Sequence, residues 1–219
     1  GDVKCWGDNT LGQLGDGTQV QRLTPVSVVG LNAPILAIST SFKHSCAISN
    51  VGGAFCWGSN VSGELGDGTT VSRSTPIGVS SLENGTQTIS AGGVPYNVYW
   101  QGGLQTCAVT AAGGVKCWGE NQVGGHLTPY EVSGLTSGIA SVSTGALGGY
   151  YSFGTLAWVE SHACALKTNG NVACWGGNSG GQLSCTTTAN PVSPVEVSGI
   201  NSPSKQVSAG GSHTCALSV

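Results

Sequence analysis

The chain has 219 residues, enough to bury a full core as one all-β domain or as an array of repeats. Its 37 glycines, its lack of methionine and its lack of Leu/Glu/Lys/Ala runs of helical period argue against a helical fold. Seven basic against ten acidic residues leave a net charge of −3 and no electrostatic footprint for nucleic acid, and no apolar run or basic amphipathic segment suits membrane insertion.

Charged residues make up 8% of the chain, whereas a soluble domain usually carries about 25–35% on its surface. Hydroxyls, amides, glycans or other protein copies must therefore cover this surface. With no initiator methionine and no signal sequence, the chain reads as a mature or trimmed product whose targeting segment is out of view.

The first predicted element is a strand in GDVKCWG, from Gly1 to Gly7. Cys-Trp-Gly recurs, with Trp6, Trp57, Trp118 and Trp175 spaced by 51, 61 and 57 residues. Such a period points to a propeller or solenoid whose units are small sheets unable to bury their faces alone. The fullest unit continues as DNTLGQLGDGTQVQRLTPVSVVGL, then the apolar strand ILAIST, then HSCAIS from His44. Gly-Asp-Gly-Thr at Gly15 and Gly66 predicts a turn. Thr-Pro at Pro25, Pro76 and Pro129 predicts an outer strand, where a missing N–H costs little. Gly-containing turns such as Val51-Gly52-Gly53 and Thr168-Asn169-Gly170-Asn171 join Cys-Ala-Ile/Leu/Val strands to Val-x-Cys-Trp strands. Each unit thus has about four strands, as a propeller blade does. The four Trp residues read as equivalent core positions. The units run approximately 5–55, 56–116, 117–173 and 174–219 plus 1–4, within one domain spanning 1–219.

The last seven residues, HTCALSV, and the first seven make one hairpin sentence when joined. Its internal versions start at His44, Gln105 and His162. The expectation is an all-β propeller of about four four-stranded blades, closed by pairing of the N- and C-terminal strands.

The cysteines follow the same hairpins. Cys46 and Cys56, Cys107 and Cys117, and Cys164 and Cys174 are each ten residues apart, and Cys215 and Cys5 would complete a fourth pair across the join. Cross-strand neighbours lie close enough for a disulfide, so four hairpin disulfides are expected, contributing roughly 2–3 kcal/mol each. They imply an oxidising compartment, hence a secreted or cell-surface protein. Buried thiols are the plain alternative. Zinc held by the His-x-Cys pattern is a further one, but Gln105 breaks it, and a histidine hydrogen-bonded between blades reads better. Cys185, in an outer turn where the first two repeats have Gly15 and Gly66, is left over for an intermolecular bond or an exposed thiol.

The units differ at three places. Two insertions hold Tyr96, Tyr99 and Trp100, and Tyr150, Tyr151, Phe153 and Trp158. These aromatics suit a protein contact, packing on each other, or sugar stacking. The third unit loses its Gly-Asp-Gly-Thr turn. Asn60 and Asn84 head glycosylation sequons. One carboxylate per Gly-Asp-Gly-Thr turn is too few for a calcium site. No catalytic constellation, metal set or cofactor motif is present, so no enzyme activity is expected.

The Trp-Gly-x-Asn-x-x-Gly-x-Leu-Gly-Asp-Gly-Thr stretches, Trp6 to Thr18 and Trp57 to Thr69, with the following Thr-Pro and the Ala-Gly-x-x-His-Thr-Cys-Ala-Leu type of strand, resemble the regulator of chromosome condensation repeat family, in its cysteine-containing bacterial form. The resemblance spans essentially the whole chain and implies a β-propeller, usually of seven blades. The favoured function is a secreted, disulfide-stapled structural or interaction protein that associates with copies of itself into a polymer or surface assembly. A secreted monomeric module that binds another protein or, less readily, a glycan is the alternative. The family's namesake nucleotide-exchange or chromatin role fits the low basic content poorly.

Overall fold

The structure is a computed structural model and describes residues 1–93, 104–121, 124–145, 161–185 and 190–219. All regular structure among the described residues is β: sixteen strands and no helix. They form three four-stranded antiparallel sheets between two two-stranded ones.

The first short sheet pairs β1 (Lys4–Gly7) with β2 (Arg22–Ser27). Three complete blades follow: β3 (Ile35–Thr40), β4 (His44–Ser49), β5 (Ala54–Gly58) and β6 (Arg73–Gly78); then β7 (Thr88–Gly93), β8 (Leu104–Val109), β9 (Val115–Asn121) and β10 (Gly124–Glu131); then β11 (Ile139–Thr144), β12 (His162–Lys167), β13 (Val172–Gly176) and β14 (Val195–Glu196). The last short sheet pairs β15 (Ser204–Ala209) with β16 (Thr214–Ser218).

Within each blade consecutive strands are neighbours, as short hairpin connections dictate. Pro76 and Pro129 fall in β6 and β10, the outermost strands, where the absent N–H leaves no ladder bond unmade. Successive sheets touch through their first strands, β3 with β7, β7 with β11 and β11 with β15. The core lies between blades, and the second strands β4 and β8 are buried along their whole length.

The blades begin at the apolar strand before His-x-Cys, so they are displaced by two strands from the repeat units 5–55, 56–116 and 117–173. That phase leaves β1–β2 as the outer half of one blade and β15–β16 as the inner half of another. The expected ring closure is absent. β1 and β16 lie in separate sheets, and Cys5 and Cys215 are not bonded to each other. The strand contacts between sheets join β3–β6 to β7–β10, β7–β10 to β11–β14, and β11–β14 to β15–β16.

Trp6 corrects a second expectation. It is 61% exposed, whereas Trp57, Trp118 and Trp175 are buried. Trp57 and Trp118 are covered by the sheet before them, whose loops accept their indole N–H groups.

Candidate functional site

The features that repeat across the molecule are the junctions between blades. The junction between the β3–β6 and β7–β10 blades is built from three layers.

Nearest the shared centre, a serine on each first strand accepts an N–H from the next blade. Ala91 donates to Ser39, Thr144 to Ser90 and Ala209 to Ser143, at 2.9–3.0 Å. This ladder ties neighbouring sheets where no β-pairing joins them. Ser39, Ser90 and Ser143 are unremarkable in sequence, and their common place in the repeat was the available signal.

The second layer is a relay of buried polar groups. The His44 ring lies 2.9 Å from the Thr106 hydroxyl of the next blade and 2.6 Å from the Ser41 hydroxyl. Thr106 spends its hydroxyl hydrogen on the Glu64 carbonyl at 2.9 Å. His44 Nε2–H therefore donates to Thr106, and Nδ1 accepts from Ser41. Burial pushes the His44 pKa down to about 3, so the ring is neutral. His162 meets Thr214 in the same way at 2.9 Å. Its pKa is lowered to about 4, first by burial and then by His213. Between these two pairs the relay fails, because Gln105 and Ala163 occupy the corresponding places.

The third layer seats the tryptophan. Trp57 Nε1–H donates to the Gln13 carbonyl and Trp118 Nε1–H to the Glu64 carbonyl, both at 2.9 Å. Each acceptor sits in the Gly-x-Leu-Gly loop, Gly12 to Gly15 or Gly63 to Gly66, of the preceding blade or half-blade. Gly15 and Gly66 adopt φ of +70° and +68°, and a Cβ there would lie 2.8 Å from the indole nitrogen. Glycine is needed there for both reasons. The third unit has lost this loop, and Trp175 Nε1 is buried with no acceptor among the described residues.

The Asp turns close the same loops. Asn9 donates to Asp16, to Thr18 and to the Val20 carbonyl, and Arg22 pairs with Asp16. Asn60, Asp67, Thr69 and Arg73 repeat the arrangement. Burial alone would raise the Asp16 pKa, but hydrogen bonds from Thr18, Arg22 and Asn9 outweigh it and hold the carboxyl at about 2. Asn60 is thereby removed as a glycan acceptor: it is fully buried and its amide already donates. Asn84 is exposed.

Cys185 also moves from its expected place. It stands seven residues after Asn178, as Asp16 does after Asn9, and receives the Asn178 amide at 3.0 Å. Ser184, with φ of +50°, takes the Gly15 position. Glu64 is a buried carboxylate where Gln13 and Gln182 stand in other units, and burial raises its pKa.

Disulfides join Cys46 to Cys56, Cys107 to Cys117 and Cys164 to Cys174, each pair directly opposite across a hairpin and fully buried. Among the described residues no three His, Cys, Asp or Glu side chains form a metal-binding group. The aromatic insertions, with Tyr96, Tyr99, Trp100, Tyr150, Tyr151, Phe153 and Trp158, lie outside the described residues.

The Regulator of chromosome condensation (RCC1) repeat profile matches residues 1–48, 52–93 and 169–217. The chain is 30% identical over 221 residues to the human probable E3 ubiquitin-protein ligase HERC6, covering 99% of this chain and 20% of that protein. Its fold is similar to human WBSCR16, with a TM-score of 0.78 at 19% identity over 100% of this chain and 54% of that one. It is also similar to Prp20p of Saccharomyces cerevisiae, studied for binding to Gsp1p and histones, with a TM-score of 0.72 at 15% identity over 100% and 52%. The chain thus spans about half the length of these solved propellers and a fifth of the ligase.

Proposed function

Because the chain belongs to the regulator of chromosome condensation repeat family, we propose that it is a non-catalytic protein-interaction propeller, stapled by disulfides for work in a secreted or cell-surface setting. The observation that carries this reading is the set of three buried cross-strand disulfides, one in each complete blade. Such bonds persist in oxidising compartments and are rare where thiols are kept reduced. Its partners are proteins, other copies of itself first. One feature supports self-association: 8% charged residues give little mutual repulsion. The ligase chemistry named for HERC6 is not carried over, since the chain matches a fifth of that protein.

The test is to alkylate thiols in the native source before lysis and then map the cysteines. The expected result is Cys46–Cys56, Cys107–Cys117 and Cys164–Cys174 linked, in protein recovered from the extracellular fraction. Alkylated thiols at all six positions would remove the extracellular reading.

A further inference from the structure

The connection between β6 and β7 carries the second sequon, Asn84-Gly85-Thr86. Asn84 is exposed, and among the described residues nothing bonds its amide. Gly85 turns the chain with a φ of +72°, and its N–H donates to the Val51 carbonyl. The Thr86 N–H donates to the Gly52 carbonyl at 2.9 Å. The backbone is thus pinned to the β4–β5 turn while the Asn84 side chain stays in solvent.

The threonine is the unexpected residue. Thr86 is buried, and its Oγ1 has no hydrogen-bond partner among the described residues. It stands four residues before the ladder serine Ser90, where Ile35 precedes Ser39 and Ile139 precedes Ser143. Ile139 belongs to the apolar core, so the place is built for a hydrocarbon side chain. A hydroxyl buried there without a partner works against folding. Ser204 holds the same place in β15 and is also unpartnered, but serine, not asparagine, stands two residues before it. The folded blade has no use for the Thr86 hydroxyl, whereas a sequon requires one at that position.

We propose that Asn84 carries an N-linked oligosaccharide and that Thr86 is its recognition hydroxyl. The inference rests on the extracellular reading above, because this modification belongs to secreted chains. In the transfer, Asn84 Nδ2 bonds to the anomeric carbon of a sugar carried on a lipid diphosphate. The carbon–oxygen bond to the diphosphate breaks, the lipid diphosphate leaves with the electron pair, and the amide loses one proton. Because the Thr86 hydroxyl is buried once β7 packs, the transfer precedes folding of that blade. Asn60 is different. Its amide donates to Asp67, to Thr69 and to the Val71 carbonyl, so a chain modified there cannot close the Asp67 turn. Of the two sequons, folded protein therefore carries the glycan at Asn84.

The glycan leaves from the face of the β4–β5 and β8–β9 turns, where Val51 is exposed and Ala111 lies against Gly85. This face is at the opposite strand ends from the Gln13 and Glu64 loops, so the tryptophan seats stay clear. Sugar hydroxyls there hydrate a molecule that has 8% charged residues.

The test is peptide mapping of extracellular protein from its native source, with and without peptide-N-glycosidase in heavy-oxygen water. The peptide holding Asn84 should appear only after the enzyme, with one heavy oxygen at that residue, and the Asn60 peptide should be unmodified throughout. Expressed in the same host, Thr86→Ser should keep the glycan. Thr86→Val should lose it while still being exported with its three disulfides, since valine restores the apolar chemistry of Ile35 and Ile139. Bare Asn84 in protein whose three disulfides are formed would overturn the glycan and leave the extracellular reading standing. Bare Asn84 with all six thiols alkylated would overturn both. A Thr86→Val variant still glycosylated at Asn84 would overturn the role given to the hydroxyl.

Discussion

Two junctions in one chain use the same repeat and reach different degrees of completion. Between the β3–β6 and β7–β10 blades, His44, Thr106, the Glu64 carbonyl and Trp118 form one connected buried network. Between the β7–β10 and β11–β14 blades, Gln105 and Ala163 replace the histidine and the threonine, and Trp175 has no acceptor for its indole N–H among the described residues. Both junctions keep the serine ladder, Ser39 to Ala91 and Ser90 to Thr144. The comparison teaches that apolar burial with the inner ladder suffices to stack blades. The polar network adds specificity and stability where its loop survives.

The largest expected difference between the junctions is in their response to acid. His44 has a folded pKa of about 3 against an ordinary value of 6.5. The unfolded chain thus binds a proton that the folded one refuses, so the histidine's contribution is complete above pH 6.5 and is lost as the pH falls toward 3. Between those values stability should drop by about 1.4 kcal/mol per pH unit from His44. His162 acts in the same direction down to about pH 4, while Gln105 contributes nothing. Denaturant midpoints at pH 7, 5.5 and 4.5 check this, and His44→Gln should flatten the profile. Midpoints that do not move over that range would show that His44 is not held neutral by burial.

Trp118→Ala should destabilise by about 3–5 kcal/mol in equilibrium unfolding, as truncation of a fully buried aromatic does. A variant as stable as the parent would mean that the indole seat is not a core element. Replacing Cys107 and Cys117 together by alanine should cost about 2–3 kcal/mol, and so should replacing Cys164 and Cys174. Equal losses are expected because these bonds lie within blades, so unequal ones would tie the staples to the junctions.

Trp118→Phe and Trp175→Phe isolate the hydrogen bond from the burial. The first should cost about 1 kcal/mol more than the second, because Trp118 has an acceptor to lose and Trp175 has none among the described residues. Equal costs would give the Glu64 carbonyl no special part in the seat. The smallest effect is expected at Glu64, whose ionised form is disfavoured by burial. Its raised pKa lowers stability above about pH 4.5, so Glu64→Gln should gain about 0.5–1 kcal/mol at pH 7 and nothing at pH 4. Loss of stability at pH 7 would show that the carboxylate is held by partners stronger than its bond from the Ser62 N–H.

Much of the fold was legible in the residues alone. A ten-residue cysteine spacing around a Gly-containing turn places two side chains opposite each other in any tight hairpin, which the Cys46–Cys56 pairing obeys. Thr-Pro marked outer strands because a missing N–H is harmless only there. Asp16 and Asp67 were legible as turn residues satisfying nearby backbone groups, although the arginines that complete them were not anticipated. These are short-range effects, determined by groups a few residues apart in the chain.

Other properties were decided only when one blade met the next. Trp6 and Trp57 share the motif Cys-Trp-Gly, yet one is 61% exposed and the other 1%. Trp57 is seated on the Gln13 carbonyl of a loop 44 residues earlier, which no feature of the motif reports. Asn60 reads as a sequon until the Asp67 turn folds over it, and Glu64 is buried in the loop whose carbonyl Trp118 and Thr106 bind. The blade's phase along the repeat belongs to the same class. Local patterning sets which strands pair, because pairing partners are neighbours in sequence. Burial and ring closure depend on surfaces that come together from about 40–60 residues away, and a periodic sequence describes each such surface identically whether or not its neighbour is present.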